Sequence, residues 1–407
     1  MTTADVQPVT LGRRARRHSG TAWPTARLLA SQVAPLPAAH VPLSEALGRM
    51  LSGDLIALNP LPATDNSAMD GWAVSGSPPW QVVGDLPAGR LHPRPLRAGE
   101  CLRIATGAAV PEGAAAVLPF EDSVLEANGV RPASAWSEGA PPRSHIRRRA
   151  GEARRGDVLL PTGAVVTPPV LGLAAAAGND TLLVVPTATV DVLVLGDELL
   201  DTGLASAGCT RDALGPQLPG WLAGFGASTR SVRRLADDLA TLTDALARSS
   251  ADVLVTTGGT SVGPRDQVHR TLQQVGGRLV VDAVDVKPGH PMLLASLPGG
   301  RWLVGLPGNP LAACAAMLTL VEPLLAALAG RRPPPPATLL LAGDQPERPG
   351  DGHRLLPVAQ RSGGVAEVLP SCGSAMLRGL ALASGLAVIG PEGAAAGDPV
   401  TYLPLPW

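Results

Sequence analysis

From Asp191 onward the chain alternates continuous apolar runs with amphipathic ones, and this alternation constrains its fold more than any other feature. VDVLVLG and ADVLVTTGG are apolar runs closed by glycine, the pattern of strands buried on both faces of a parallel sheet. LGPQLPGWLAGFG, DDLATLTDALARSS and RDQVHRTLQQVG instead space their apolar residues as helices do. WLVGLPGNPLAACAAMLTLVEPLLAAL reads as strand, turn and long helix. Strands and helices in this order predict a doubly wound α/β domain over residues 188–330.

The rest of the chain has a different grain. TARLLASQV and LSEALGRML have helical spacing and predict two helices between Thr21 and Leu58, the second capped by its LSEA turn. PATDNSAMDGWAV, from Pro62 to Val74, is a loop rich in turn formers, with Asp70–Gly71 as its turn. WQVVG, CLRIATG and AAVLPF are short β-like runs separated by Gly and Pro. With 407 residues the chain exceeds one ordinary domain of about 100–200 residues. The expected organisation is a basic disordered tail at 1–20, a helical N-terminal region at 21–75 and 143–187, and an inserted β-rich domain at 76–142. The α/β domain follows, then the stiff linker RRPPPPA and an all-β module at 337–407.

Composition excludes several classes. Lys+Arg at 33 nearly balance Asp+Glu at 34, so no bulk charge draws the chain to nucleic acid or to a membrane surface. Aromatic residues at 2% supply no base-stacking platform. The 4 cysteines form no CxxC and read as small apolar core residues in a reducing compartment. No HExxH or clustered His spacing points to zinc. The basic N-terminus lacks the apolar segment of a secretory signal. Leu311 to Gly330 is interrupted by Glu322 and Pro323, and reads as a buried helix rather than a membrane span. The expected location is the cytoplasm.

Three loops fall at strand ends, where α/β domains bind ligands. GDELL brings Asp197 and Glu198 to a strand terminus, where carboxylates can hold a metal or a hydroxyl; a helix N-cap with an acidic first turn is the simpler reading. TTGGTSVG pairs glycines with the Thr260 and Ser261 hydroxyls and can cradle an oxyanion, although it is neither a Walker A loop nor GxGxxG. GLPGNP, Gly305 to Pro310, fixes a turn and offers Asn309 as a helix cap. DVKPGHP adds Lys287 in a constrained turn, as a solvated lysine or a phosphate contact. Three loops converging on one sheet edge favour a polar, phosphorylated ligand.

In order along the chain, DNSAMDGWAV, RIATGAAVP, GDEL, TTGGTSVG, KPGHP, GLPGNP and CGSAML resemble the molybdopterin molybdenumtransferases, the family of MoeA and the gephyrin E-domain. The resemblance runs from Thr21 to the C-terminus. DNSAMDG and GLPGNP are specific to the family, whereas GDEL and the glycine loop occur in molybdopterin-binding domains more widely. It implies an elongated helical region interrupted by a β-rich insert, a molybdopterin-binding α/β domain and a C-terminal β-barrel-like domain. It further implies a homodimer whose cleft is built by the α/β domain of one subunit and the N-terminal regions of the other. The implied reaction inserts molybdate into adenylylated molybdopterin, with Mg2+ assisting release of AMP. A molybdopterin adenylyltransferase is the implied upstream partner.

By position, the resemblance assigns Asp65, Thr106, Glu198, Asp237, Asp266 and Lys287 to catalysis, with Glu198 and Asp237 toward Mg2+. Gly258, Gly259, Thr260, Ser261, Pro307, Gly308, Asn309, Pro310 and Ser374 are assigned to the ligand. The chain departs from the pattern at Ala153, Ala283, His290, Ala312 and Leu214, where the family carries an aspartate, a basic residue, a lysine, a serine and an asparagine. Two of these changes remove positive charge. They leave open a divergent paralogue that binds molybdopterin or a related nucleotide without efficient insertion. A different enzyme on the same α/β domain, such as an adenylyltransferase or a pyrophosphatase, is disfavoured by the N-terminal match.

Overall fold

The apolar runs after Asp191 become neighbouring strands of one sheet. A computed structural model describes residues 20–127, 129–134, 144–260, 267–332, 335–348 and 352–407. These fall into two units, one of residues 38–184 and one joining the flanking segments through Pro37 and from Val185. The expected tail lies outside the described residues except for Gly20, and so does part of the RRPPPPA linker.

In the larger unit the sheet order is Ser228–Leu235, Thr189–Leu195, Val253–Thr257, Arg301–Leu306, Leu293–Leu297 and Arg278–Asp282. The first four strands run parallel, and the last two add an antiparallel edge. Alternate residues of the central strand serve two cores. Val190, Val192 and Val194 face one side, while Leu193 and Leu195 join Leu242, Leu246, Val268 and Leu272 on the other. The helix Leu239–Arg248 starts at Asp238, whose carboxylate accepts from the Thr241 N–H at 2.8 Å. The chain leaves Thr189–Leu195 for a strand on one side and later returns to one on the other. That reversal opens a crevice at the carboxyl ends of the parallel strands.

Glu322 and Pro323 do not end the long helix. Pro310–Ala316 and Glu322–Leu328 are joined by a π-helical turn, Met317–Val321, and the whole is almost entirely buried. In the π register the Leu318 carbonyl faces Pro323, which has no N–H. The Arg27 guanidinium donates to that carbonyl instead and pairs with Glu322 at 3.1 Å. The Trp23 indole donates to Thr319 Oγ1 at 3.1 Å. The helix Trp23–Ser31, expected within the N-terminal region, is thereby fastened to the core of the α/β unit. Burial in turn pushes the Glu322 carboxyl upward, against the pull of Arg27.

The C-terminal strands close a five-stranded barrel in the order His353–Arg361, Val365–Val368, Ala337–Leu341, Pro399–Pro404, Gly385–Ile389 and back to His353–Arg361. Val284–Lys287 extends this sheet, with Val286 opposite His353 and Lys287 opposite Arg354. The α/β chain therefore lends the KPGHP segment to the barrel.

In the smaller unit LSEALGRML makes only a single turn of helix, Leu43–Ala46, because Gly48 turns the chain at φ 76° into the strand Met50–Leu51. The insert is a four-stranded sheet ordered Gln81–Leu86, Glu100–Ile104, Gly71–Val74 and Ala116–Pro119. Gly71 does not form the expected turn. It opens a central strand, and a Cβ there would lie 2.2 Å from the Leu118 carbonyl oxygen.

Candidate functional site

The crevice at the strand ends is a cleft of about 720 Å³. Its walls come from Leu195, Gly196, Glu198 and Leu199, Thr210–Leu214, Asp237, Thr257–Thr260, Pro291, Pro307–Pro310, and Ala375 with Leu377. No helix follows GDELL, so the N-cap reading does not hold. Leu199–Leu200 pairs with Thr210–Arg211 instead. Gly196, at φ 139°, makes this possible: a Cβ there would sit 3.0 Å from a Glu198 carboxylate oxygen. Arg234 reaches the Gly196 and Asp197 carbonyls at 3.4 Å, bracing the turn that presents Glu198. Asp237 is tied to the same turn, its N–H donating to Asp197 Oδ1 at 3.2 Å.

The glycine loop forms the opposite wall. Gly258 and Gly259 both have positive φ, at 79° and 66°, a turn that glycine adopts without strain, and a Cβ on Gly259 would crowd Leu195 and Val268 at 3.3 Å. Thr260 is buried beneath it, seated against Gly305, where a Cβ would fall 2.7 Å from its methyl group. Ser261 and Asp266 lie outside the described residues.

Asn309 does not cap its helix through its side chain. The first turn is capped from the barrel side: the Ser374 carbonyl accepts from the Leu311 and Ala312 N–H groups at 2.9 and 3.2 Å. Asn309 Nδ2 lies 3.4 Å from Ser374 Oγ. The CGSAML loop is thus a shared wall. Ala375 and Leu377 face the cleft, while Cys372 and Ser374 face a second cavity of about 420 Å³.

That second cavity is cationic. Lys287, Arg348 and Arg354 line it with Ser374, Gln345 and Cys372, and no carboxylate lines it among the described residues. Strand pairing creates it, because Lys287 and Arg354 are register partners. Arg354 is 5% exposed and donates to the Pro346 carbonyl at 2.7 Å. His290, in place of the family's lysine, turns its Nδ1 to the Val284 carbonyl at 2.7 Å. Cys101 and Cys314 are buried as expected, and burial raises their thiol pKa values to about 11 and about 12. Cys372 departs from the core reading, being exposed.

Asp65 and Thr106 belong to the smaller unit, where their loops are joined by the Val110 N–H to Asp65 carbonyl and Gly107 N–H to Ser67 carbonyl bonds, at 2.9 and 2.8 Å. Asp70 accepts from the Thr106 N–H at 2.7 Å. Asp65 accepts from the Arg149 N–H at 2.6 Å and from the Arg148 guanidinium at 2.7 Å, and these bonds hold its carboxyl below the usual range.

Sequence reading missed Asp212, Arg348, Arg354 and Arg148. Asp212 lines the cleft and shapes its own turn, Oδ1 accepting from the Leu214 and Gly215 N–H groups at 2.9 and 3.0 Å. The DALG order, an Asx turn before glycine, was the available signal. The arginines carry no local signal.

Comparison with known proteins follows the same division. Residues 23–178 match the MoeA N-terminal region (domain I and II), and residues 191–327 match a probable molybdopterin-binding domain. Molybdopterin molybdenumtransferase 2 of Mycobacterium tuberculosis is 35% identical over 303 residues, covering 70% of this chain and 73% of that protein. Molybdopterin molybdenumtransferase of Haemophilus influenzae is 34% identical, covering 73% and 74%. The crystal structure of the molybdopterin biosynthesis MoeA protein from Pyrococcus horikosii superposes with a TM-score of 0.76 at 23% identity, over 95% of this chain and 99% of that one, a likeness of fold.

Proposed function

The chain belongs to the molybdopterin molybdenumtransferase family, which serves molybdenum cofactor biosynthesis, and from that premise we propose that its two adjoining cavities divide one reaction between them. The glycine-walled cleft takes adenylylated molybdopterin, and the cationic cavity takes molybdate. The observation that carries this reading is the CGSAML loop, which walls both cavities at once. A ligand in the cleft and an oxyanion beyond Ser374 are then separated by one loop.

The residues present suit these tasks. Half-buried backbone at Gly258 and Gly259, which lines the cleft, can approach phosphate or pterin amide groups closely. Lys287 and the two arginines supply the charge that a dianionic oxyanion needs, and Arg348 and Arg354 offset the lysine lost at His290. This charge supports insertion over mere binding.

Glu198 and Asp237 line the same cleft and fit Mg2+, which takes one or two carboxylates and keeps several waters. The ion would neutralise charge on the phosphate as AMP leaves. Gly196 and Arg234 set where the Glu198 carboxylate stands.

We place the protein in the cytoplasm as a homodimer, supplied by an adenylyltransferase. The apolar helix Pro168–Ala176, together with exposed Leu47, Leu58, Val158 and Val165 in the same unit, supports a subunit contact. The test of the reaction is AMP release from adenylylated molybdopterin with molybdate and Mg2+. Tight ligand binding without molybdate-dependent AMP release would sink the proposal.

A further inference from the structure

The cleft wall from Thr210 to Leu214 outruns the strand that starts it. Pairing with Leu199–Leu200 ends at Arg211, so Asp212, Ala213 and Leu214 need other ties. Asp212 supplies one from within, through its bonds to the Leu214 and Gly215 N–H groups. Leu214, where the family carries asparagine, is buried in the apolar core and lends the turn no polar side chain. A further tie comes from Gln217, outside the cleft lining. Its Nε2 donates to the Ala213 carbonyl at 2.6 Å. Its Oε1 accepts from the Trp221 indole at 3.2 Å and from the Cys314 thiol at 3.3 Å. These partners fix the sense of the amide, since a carbonyl faces one end and two donors face the other. Cys314 keeps its proton, because burial pushes its thiol up to about 12. It lies on the helix Pro310–Ala316, whose first residue lines the cleft. One amide therefore joins two walls of the cleft from behind.

We propose that Gln217 is a positioning residue for the reaction: it fastens the Asp212–Leu214 turn to the helix after GLPGNP, and so sets how tightly the cleft takes its ligand. Gln217 acts through Ala213 and Asp212 and lies behind the wall. Without the tie, the ligand must order the turn each time it binds, which weakens binding. A wall of this kind serves ground state and transition state alike, so its loss raises KM and leaves kcat in place. The kinetic role rests on reading the cleft as the adenylylated molybdopterin site, whereas the tie itself does not.

Two variants of the full chain separate the wall from the fold. Gln217→Glu keeps an acceptor for Trp221 and Cys314 but sets an oxygen against the Ala213 carbonyl. Gln217→Met loses both ends and strands the buried Trp221 N–H. Both should raise KM for adenylylated molybdopterin by about 2–10-fold, the effect of one hydrogen bond, with kcat within about twofold of wild type. Only Gln217→Met should melt well below wild type. A KM rise shared by both variants is not charge repulsion, because methionine carries no charge. Hydrogen exchange reads the wall without any ligand: the Leu214 and Gly215 amides should exchange about 2–10-fold faster in both variants. Amides of Val253–Thr257 should keep their wild-type rates in Gln217→Glu. Unchanged exchange at Leu214 and Gly215 overturns the proposal. So does faster exchange there with KM unaltered, or a KM rise confined to Gln217→Met, which marks Gln217 as structural. Absence of AMP release from wild type would remove the cleft reading and the kinetic role with it, while faster exchange would leave the tie standing.

Discussion

Gly196→Ala tests whether the placement of Glu198 limits turnover. At φ 139° a non-glycine residue costs about 1–3 kcal/mol of backbone strain. The new Cβ would stand 3.0 and 3.1 Å from the two Glu198 carboxylate oxygens and 3.0 Å from Leu199 Cγ. Ordinary contact begins near 3.4 Å, so the flexible carboxylate must retreat by about 0.3–0.4 Å. A misplacement of about 1 Å can cost about a hundredfold in rate, so a shift of about 0.4 Å should lower AMP release by about 3–10-fold. Strain alone should lower the melting temperature by about 2–4 °C for each kcal/mol. Gly203→Ala separates the two effects. Gly203 lies in the same loop at φ 82° with nothing within 4 Å of a Cβ, so it carries the strain without the collision. Both variants are compared by thermal melt and by AMP release at saturating substrate. Gly203→Ala should melt lower with activity within about twofold of wild type. Equal activity losses in the two variants, or full activity in Gly196→Ala, would refute the argument.

Three further outcomes are expected. Asp65→Asn should reduce turnover while costing about 0–1 kcal/mol of stability, because its partners Arg148 and Arg149 lie at the surface; a large melting shift would instead mark it as structural. Thr319→Val should destabilise by about 1–3 kcal/mol in a denaturant titration, since it strands the buried Trp23 N–H, and the paired Trp23→Phe, Thr319→Val variant should recover part of that loss. For Asp191, burial works to raise the pKa, but the Ser249 and Ser231 hydroxyls together with Arg230 and Arg233 bring it below the usual value. Its contribution is therefore complete above its unfolded value of about 3.9 and lost as pH falls through the lower folded one. Melts of wild type and Asp191→Asn should accordingly converge below about pH 4, and curves that stay parallel there would contradict the assignment.

What sequence alone conveys differs by the range of the physics. VDVLVLG and ADVLVTTGG announce buried parallel strands because burial on both faces leaves a continuous apolar run, a local signature. LSEALGRML misleads for an equally local reason, since its spacing suits a helix that Gly48 stops after one turn. The long buried helix is legible despite Pro323, but its π turn is not, because a distant arginine takes the orphaned carbonyl. The cleft loops are readable since each is one motif at one strand end. The cationic cavity is not, because Lys287 and Arg354 become neighbours through strand pairing across sixty-seven positions of sequence.

The Ser374 carbonyl that caps the helix after GLPGNP carries a consequence for any attempt to divide the chain. The α/β domain cannot complete its own cleft: the acceptor for two backbone donors of that helix, and one wall of the cleft, are supplied from beyond the linker. A fragment ending at Gly330 would keep its sheet and its glycine loop, but would present an open-sided groove without the second cavity beside it. Barrel and α/β domain are interchangeable between relatives only as a matched pair, with the loop delivering its carbonyl to the same helix end.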